Sequence, residues 1–329
     1  MTLVDALHIN AGGGLVLLKY LIEQLVEKKR DFFLLYDNRC MGMFEYVPYK
    51  ACLDTSLKSR KAFYLSKKGS FSSVLCFANV PPPVKMDVPV YTYFHNINLL
   101  TLGEGSLKSK IKCWVKRLYI HHLRKNTNKW LVQTSNTANE MVKHMGIGEE
   151  DIIIAPFYDL RYIKNEPIHG NDYVFIGDYT GYKGHDELLA AWSLLSRKGM
   201  NHTLHLTCSH TVEFLEKVRR AQKEGVAVEN HGIISFEEVA KLYQKSKALV
   251  YPSSNESLGL GIVEAISSGC DVLSSDMPFT FSVCQPSEVF DPHSPESISE
   301  AVVRYENKMS PKTKLIIENQ IAKVIGLLE

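Results

Sequence analysis

No run of 18 or more apolar residues occurs in the 329-residue sequence, which excludes a helix that spans a lipid bilayer. The first residues, MTLVDALHINAGGG, lack the basic and apolar regions of a secretory signal. The seven cysteines are scattered and form no CxxC pair, which argues against a disulfide framework and against a structural zinc site. We therefore expect reduced thiols in a cytoplasmic protein.

Several motifs that define enzyme classes are also absent. The sequence has no P-loop, no G-x-S-x-G and no G-x-G-x-x-G, so hydrolase and dinucleotide-binding functions have no support. It has no D-x-D and no group of His, Cys and carboxylate residues with the spacing of metal ligands, so a metal-bridged diphosphate is not expected. We predict no metal and no cofactor.

The composition is that of a globular chain, with 45% hydrophobic and 22% charged residues. The net charge of +2 conceals an asymmetry, because residues 1–160 hold 21 Lys and Arg against 14 Asp and Glu, whereas residues 161–329 hold 17 against 22. Length and charge together predict two domains, 1–160 and 161–329, with different partners.

Short apolar runs of strand length alternate with helical segments in both halves of the chain. The predicted strands are Leu3–Ile9, Phe32–Tyr36, Val74–Phe77, Val90–Phe94, Trp130–Gln133, Tyr173–Ile176, Leu204–Thr207, Ala227–Glu229, Ala248–Tyr251 and Val272–Ser274. The predicted helices cover residues 15–28, 184–197, 211–223, 236–245, 260–268 and 296–306. This order predicts two Rossmann-like α/β domains whose parallel sheets face a central cleft, with a final helix that can pack back on the first domain.

The most informative segment is YPSSNESLGLGIVEAISSG, residues 251–269. A predicted strand ends in a polar turn, and a glycine-bearing turn then begins a helix, whose first amides can bind an anion or a hydroxyl group. Glu256 lies at the mouth of the turn, and Glu264 lies inside the helix, where a carboxylate can accept hydrogen bonds from two ribose hydroxyls. A capped helix with solvated glutamates is the alternative interpretation.

With seven residues between its two glutamates, this segment resembles the E-x7-E signature of the retaining glycosyltransferases of family 4, which have the GT-B fold. VFIGDYTGYKGHDELLAAW (174–192) resembles the strand, phosphate loop and helix of that family, and HGIISFEEVAKLYQKSKALVYPS (231–253) resembles its nucleotide-base turn and following helix. The first half is similar over the glycine loop after the first strand, YFHN (93–96) and LVQTSNTANEMVKHMGI (131–147).

The resemblance implies roles for individual residues of the second half. Glu256 would contact the donor sugar together with the backbone amides of Leu258 and Gly259, and Glu264 would hold the ribose. Lys183 would neutralise the donor diphosphate, a task suited to a flexible point cation, although a solvated loop lysine is the alternative. The backbone of Gly232 and Ile233 would meet the base.

The resemblance also implies roles in the first half. Gly12, Gly13 and Gly14 would present amides to phosphate or acceptor, but a tight strand-to-helix turn without a ligand explains the same glycines. His95, which follows a predicted strand, would lie near the reacting sugar, although a lone histidine is more often structural.

Two positions depart from the family pattern. Asp178 replaces the arginine that usually follows the glycine of the phosphate strand, so an anion takes the place of one of two cations that offset the leaving diphosphate. Asn96 follows His95 where aspartate is common, a change that keeps hydrogen-bonding capacity.

A basic stretch from residue 108 to 129 contains apolar residues that fall partly at helical spacing. A basic amphipathic helix with Trp and Tyr predicts an anionic membrane surface as partner, and a solvated helix whose aromatic side packs on the sheet is the alternative. Nucleic acid is not expected, because no recognition motif accompanies the charge. The residues predicted to face the membrane are Lys108, Lys110, Lys112, Trp114, Lys116 and Arg117.

The resemblance therefore implies a retaining, metal-independent glycosyltransferase. Its donor would be a nucleotide-sugar, and its acceptor a saccharide or lipid-linked saccharide at the inner face of the cytoplasmic membrane, as in O-antigen or capsule assembly. Two alternatives stay open: a non-catalytic sugar-nucleotide-binding or scaffold protein on the same fold, and a nucleotide-sugar epimerase.

Overall fold

The computed structural model describes residues 1–101, 107–163, 170–209, 211–307 and 310–329. The chain forms two compact units, one of Met1–Asp159 with Glu318–Glu329 and one of Leu160–Ile317. Each unit is an α/β structure built on a parallel sheet, which confirms the predicted fold class. In the described ranges no helix is both long enough and apolar enough to cross a membrane.

The first unit has a seven-stranded parallel sheet in the spatial order β3-β2-β1-β4-β5-β6-β7. α-Helices lie in four of the six connections between consecutive strands. The strands are β1 (Thr2–Ala6), β2 (Phe32–Asp37), β3 (Lys50–Leu53), β4 (Ser73–Cys76), β5 (Val90–Phe94), β6 (Lys129–Val132) and β7 (Ile152–Ile154). The helices are α1 (Gly12–Glu27), α2 (Leu57–Ser66), α3 (Asn98–Thr101), α4 (Leu107–Leu123) and α5 (Ser135–Met145).

The first strand and helix differ from the sequence prediction at their ends. Strand β1 ends at Ala6 rather than Ile9, because the chain turns through His8 at φ +88° and the Ile9 amide donates back to the Ala6 carbonyl. Helix α1 begins at Gly12, three residues before the predicted start. The glycine loop is therefore the first turn of this helix.

The second unit has a six-stranded parallel sheet in the order β10-β9-β8-β11-β12-β14, and a small antiparallel pair, β13 with β15. The strands are β8 (Asp172–Phe175), β9 (Leu204–Leu206), β10 (Val228–Asn230), β11 (Ser246–Tyr251), β12 (Asp271–Ser275), β13 (Cys284–Gln285), β14 (Glu288–Phe290) and β15 (Lys314–Leu315). The helices are α6 (His185–Arg197), α7 (Val212–Lys223), α8 (Phe236–Lys245), α9 (Leu260–Ser267), α10 (Pro278–Val283) and α11 (Pro295–Glu306).

The final helix, α12 (Ile321–Gly326), belongs to the first unit. The Gln320 amide donates to the Pro156 carbonyl over 2.7 Å, and the hydroxyl groups of Thr2 and Ser73 both donate to the Leu328 carbonyl over 2.9 Å. These bonds hold the last segment against strands β1 and β4.

The topology places two loops side by side. Strands β8 and β11 are hydrogen-bonded neighbours and run in the same direction, so the loops that follow them leave from the same edge of the sheet. In open α/β sheets this carboxyl edge is where ligands bind.

Candidate active site

The loop after β8 packs directly on the turn after β11. The Ser254 amide donates to the Tyr182 carbonyl over 2.8 Å. Gly184 has φ +66°, and a Cβ atom at this position would lie 2.6 Å from the Pro252 carbonyl oxygen. Only glycine permits both the left-handed backbone and this approach, so Gly184 allows the two loops to meet.

This contact brings Lys183 and Glu256 together. The Lys183 Nζ atom lies 2.5 Å from Oε1 of Glu256, and the Tyr251 hydroxyl donates to the same oxygen over 3.0 Å. The ammonium group also lies 5.4 Å from the centre of the Tyr251 ring. Both charged side chains are mostly buried, with 15% of Lys183 and 13% of Glu256 exposed. Neither is a solvated loop residue.

The pair fixes the charge on the lysine. Burial disfavours the ammonium form, but attraction to the Glu256 carboxylate outweighs it, so the pKa of Lys183 is raised above its ordinary value. Burial and the same carboxylate raise the pKa of Tyr251, which stays a neutral hydroxyl donor at physiological pH. A charged lysine paired with a glutamate therefore lies, mostly buried, at the carboxyl edge of the sheet.

Glu264 lies inside α9 and is buried. The Tyr162 hydroxyl donates to its Oε1 over 2.5 Å, and the Tyr243 hydroxyl donates to its Oε2 over 3.1 Å. The Tyr162 ring stacks on Phe236 at the start of α8, 4.7 Å between centroids. Glu264 is thus not a solvated glutamate. The two tyrosines that hold its carboxylate were not identified from the sequence, because both lie outside residues 251–269.

The start of α9 is shaped by its glycines. Gly259 has φ +71°, and a Cβ atom at Gly261 would lie 3.4 Å from the Tyr251 ring. The Leu258 side chain is buried and anchors the turn. The first amides of a helix have no partners within the helix, so this turn presents donors near the end of β11.

Asp178, the departure from the family pattern, accepts hydrogen bonds from its own loop and from the loop after β9. Its Oδ1 atom accepts from the Ser209 hydroxyl over 2.5 Å and from the Ser209 and Tyr179 amides over 3.0 Å each. Partial burial opposes its charge, but the Ser209 bonds hold the pKa of Asp178 below its ordinary value. The ion-pair partner of Lys183 is Glu256 rather than Asp178.

His95 lies in the first unit, directly after β5. Its Nε2 atom is 3.0 Å from the Phe77 carbonyl, which can only accept, so the proton is on Nε2 and the lone pair is on Nδ1. Burial lowers the pKa of His95 to about 4, so the ring is neutral at physiological pH. A Cβ atom at Gly14 would lie 3.0 Å from the His95 ring. Gly14 therefore gives the imidazole room against the first turn of α1.

The remaining predicted residues lie on exposed turns. Gly12 and Gly13 are exposed in the first turn of α1, and Gly12 has φ +62°. Gly232 has φ +72°, and 88% of the adjacent Ile233 side chain is exposed. Asn96 is also exposed.

Helix α4 carries the basic stretch and has an exposed apolar stripe. The lysines predicted to face a membrane are all exposed, whereas Arg117 donates to the Leu100 carbonyl over 2.7 Å. The alternative, in which the aromatic side packs on the sheet, does not hold for Trp114, which is 47% exposed. The exposed apolar residues of the helix are Leu107, Ile111, Trp114, Val115 and Leu118.

One group of three potential metal ligands is found in the described ranges, His205, Glu229 and His231. Sequence spacing showed no such cluster, because its members come from two different strand regions, β9 and β10. It is separate from the Lys183–Glu256 pair.

The lowered pKa of His185, the first residue of α6, makes the folded protein less stable in acid. Burial and nearby Lys183 lower its pKa to about 4, below the usual 6.5, and its Nδ1 atom is buried without a hydrogen-bond partner. The unfolded chain therefore binds a proton at higher pH than the folded chain, and stability falls as the pH drops from about 6.5 to 4.

We expect His185→Gln to remove about 2–3 kcal/mol of the loss in unfolding free energy between pH 7 and pH 4.5. Urea unfolding of both proteins at the two pH values measures this difference. Equal losses in the two proteins would contradict the assignment of the acid-sensitive proton to His185.

Comparisons with known proteins agree with this architecture. Residues 160–322 match the family of the glycosyl transferases group 1. The serotype-specific mannosyltransferase WbdA of Escherichia coli is 30% identical over 155 residues, which cover 44% of this chain and 19% of that protein. The chain thus spans only about a fifth of the length of the curated relatives it matches.

Solved structures share the fold over nearly the whole chain. Sucrose-phosphate synthase from Thermosynechococcus elongatus has a TM-score of 0.76 at 16% identity and covers 93% of this chain and 89% of its own. HepE of Anabaena in complex with UDP-glucose has a TM-score of 0.71 at 12% identity, with 94% and 90% covered. These likenesses establish the fold.

The two parallel-sheet units therefore have the GT-B fold of glycosyltransferases. Residues 160–322, which contain the Lys183–Glu256 pair and Glu264, form a glycosyl transferases group 1 domain, and the family resemblance seen in the sequence is confirmed.

Proposed function

We propose that this protein transfers a sugar from a nucleotide-sugar donor to a saccharide hydroxyl, with retention at the anomeric carbon and without a metal at the diphosphate. The Lys183–Glu256 pair carries the proposal, because it places a cation and a carboxylate beside the amides that begin α9. The family match supports transfer, and the complex of HepE with UDP-glucose supports a nucleotide-sugar as donor.

In this mechanism the protein positions the substrates and stabilises the charge that develops on the leaving diphosphate. The bond between the anomeric carbon and the diphosphate oxygen breaks, the acceptor oxygen bonds to the same face, and its proton passes to the departing phosphate oxygen. Lys183 and the amides of Leu258 and Gly259 stabilise the growing negative charge on the diphosphate. Glu256 holds the sugar and orients the lysine, and we assign His95 to the sugar on the family resemblance alone.

Glu264 is proposed to hold the ribose. Because Tyr162 donates to Oε1 of Glu264, a ribose hydroxyl must share that oxygen with the tyrosine or displace it. Gly232 and Ile233 follow β10 at the carboxyl edge of the same sheet and are proposed to meet the base.

The deciding experiment measures nucleotide release with and without acceptor. Thermal-shift screening against UDP-, GDP- and ADP-sugars first selects the donor, since a ligand that binds only the native state raises its stability. A transferase releases one nucleoside diphosphate for each acceptor molecule that it glycosylates. Conversion of the donor alone would identify an epimerase, and donor binding without turnover would identify a scaffold.

The acceptor is proposed to be a lipid-linked saccharide at the inner face of the cytoplasmic membrane, in assembly of a surface polysaccharide such as O-antigen or capsule. Helix α4 supports peripheral attachment, because its exposed lysines and its apolar stripe can engage anionic headgroups and the acyl boundary together. The similarity to a serotype-specific mannosyltransferase supports the class of product.

Charge reversal on α4 tests the attachment. Replacing Lys108, Lys110, Lys112 and Lys116 with glutamate should weaken binding to anionic vesicles strongly, since each basic residue near such a surface contributes about 1 kcal/mol. Vesicle co-sedimentation at low and high salt measures it, and salt should also weaken binding of the wild type.

Four exposed lysines in and after α2 provide the matched control, with the same total change in charge. Reversal of these should have a smaller effect than reversal on α4, and a wild type that ignores anionic vesicles at low salt would remove the membrane proposal. The control lysines are Lys58, Lys61, Lys67 and Lys68.

A further inference from the structure

His205, Glu229 and His231 lie on one face of the second unit's sheet. His205 of β9 is paired with Glu229 of β10 in the parallel register. His231 is two residues beyond Glu229, and its amide continues the ladder by donating to the Leu206 carbonyl over 2.8 Å. Because side chains alternate along a strand, the three point to the same side.

Three ligand atoms converge at this place. Nδ1 of His205 lies 3.0 Å from Nε2 of His231, and Oε2 of Glu229 lies 3.6 Å from the first nitrogen and 3.8 Å from the second. A point equidistant from these three atoms lies about 2.0 Å from each, which is the length of a Zn–N bond and close to that of a Zn–O bond. The atoms therefore need little movement to surround one ion.

Asp172, at the start of β8, orients the deepest ligand. Its Oδ2 atom is 3.2 Å from Nε2 of His205. An ionised carboxylate can only accept, so Nε2 carries the proton and Nδ1 directs its lone pair toward the other two ligand atoms. A carboxylate behind a histidine in this manner is the usual support of a zinc-bound imidazole.

The three ligand side chains differ in exposure, so that an ion can reach the cluster from solvent. His205 is buried, His231 is partly buried, and Glu229 is largely exposed. A metal can enter from the Glu229 side, and a water molecule can occupy a fourth position there. Two imidazoles and a carboxylate are ligands that Zn²⁺ accepts, whereas Mg²⁺ and Ca²⁺ prefer oxygen.

We propose that His205, Glu229 and His231 bind a zinc ion, with Asp172 as the positioning residue behind His205. The ion links β9 to the edge strand β10 and steadies the turn at Gly232 that leads to α8. The site is independent of the Lys183–Glu256 pair, so it can be tested whether or not the chain is a transferase.

The test titrates Zn²⁺ alone into the chelator-treated full chain, against a chromophoric competitor under reducing conditions. We expect one tight site per chain and a zinc-dependent rise in Tm, because an ion that binds only the folded state stabilises it. Asp172→Asn should lower the affinity by about 10–100-fold. Glu229→Gln and His231→Gln should lower it at least as much and abolish the rise in Tm.

His202→Gln and Glu213→Gln are controls of similar exposure in the same unit, and both should bind zinc like the wild type. Retention of the wild-type Tm without zinc would show that a ligand variant is folded. A wild type that binds no zinc tightly would overturn the proposal, and His205 and His231 would then be only hydrogen-bonded histidines. Equal affinity in His231→Gln, Glu229→Gln and the wild type would also overturn it, by placing the ion elsewhere, such as on a free thiol.

Discussion

Lys183→Ala should weaken donor binding by about 5–150-fold more than Asp178→Ala, which corresponds to about 1–3 kcal/mol for a charge-assisted hydrogen bond. Lys183 is enclosed beside Glu256 at the carboxyl edge of β8 and β11, where a diphosphate would meet it. Asp178 bonds to Ser209 and to the Tyr179 amide, so its removal takes no cation from the site. Donor affinity by calorimetry and turnover by nucleotide release measure both variants.

A paired variant separates function from folding. Lys183→Ala leaves the Glu256 carboxylate mostly buried without its cation, which by itself lowers stability. In Lys183→Met combined with Glu256→Gln, both charges are gone, so stability should recover while donor binding stays lost. If Asp178→Ala proves worse than Lys183→Ala, Asp178 is itself a ligand or catalytic group, and the proposed phosphate site is wrong.

Glu256→Gln and Glu264→Gln should affect different kinetic parameters. We expect Glu256→Gln to lower kcat by about 100-fold or more with a smaller change in nucleotide affinity, because its partner is the sugar under attack and because it orients Lys183. Glu264→Gln should mainly raise KM and Kd for the donor, since ribose contacts exist in the ground state and in the transition state alike.

Steady-state kinetics, with nucleoside diphosphate binding measured separately, distinguish the two effects. Glu213→Gln, an exposed glutamate on α7, is the control that should change neither parameter. Unchanged activity in both site variants would remove the transferase proposal. A loss of nucleotide affinity in Glu256→Gln as large as that in Glu264→Gln would instead reverse the assignment of sugar and ribose.

The sequence determined the central elements of both sheets. Strand β5 occupies Val90–Phe94 as predicted, and helix α8 occupies Phe236–Lys245 as predicted, because continuous apolar runs and capped amphipathic segments report burial locally. The edge strands were harder: β3, β7 and β14 were not predicted, and β10 was shifted by one residue. These strands are only three or four residues long and only partly buried, so their local pattern is weak.

The sequence also determined which segments carry the candidate chemistry, because Glu256 and Glu264 lie within one turn and helix. Tertiary structure alone decided their partners. Lys183 and Glu256 are 73 residues apart and meet only because β8 and β11 are neighbours with their carboxyl ends on one edge. His205 and His231 are 26 residues apart and converge for the same reason on β9 and β10. Hydrophobic periodicity indicates which residues are buried, whereas the choice of neighbouring strands depends on long-range packing that no local pattern encodes.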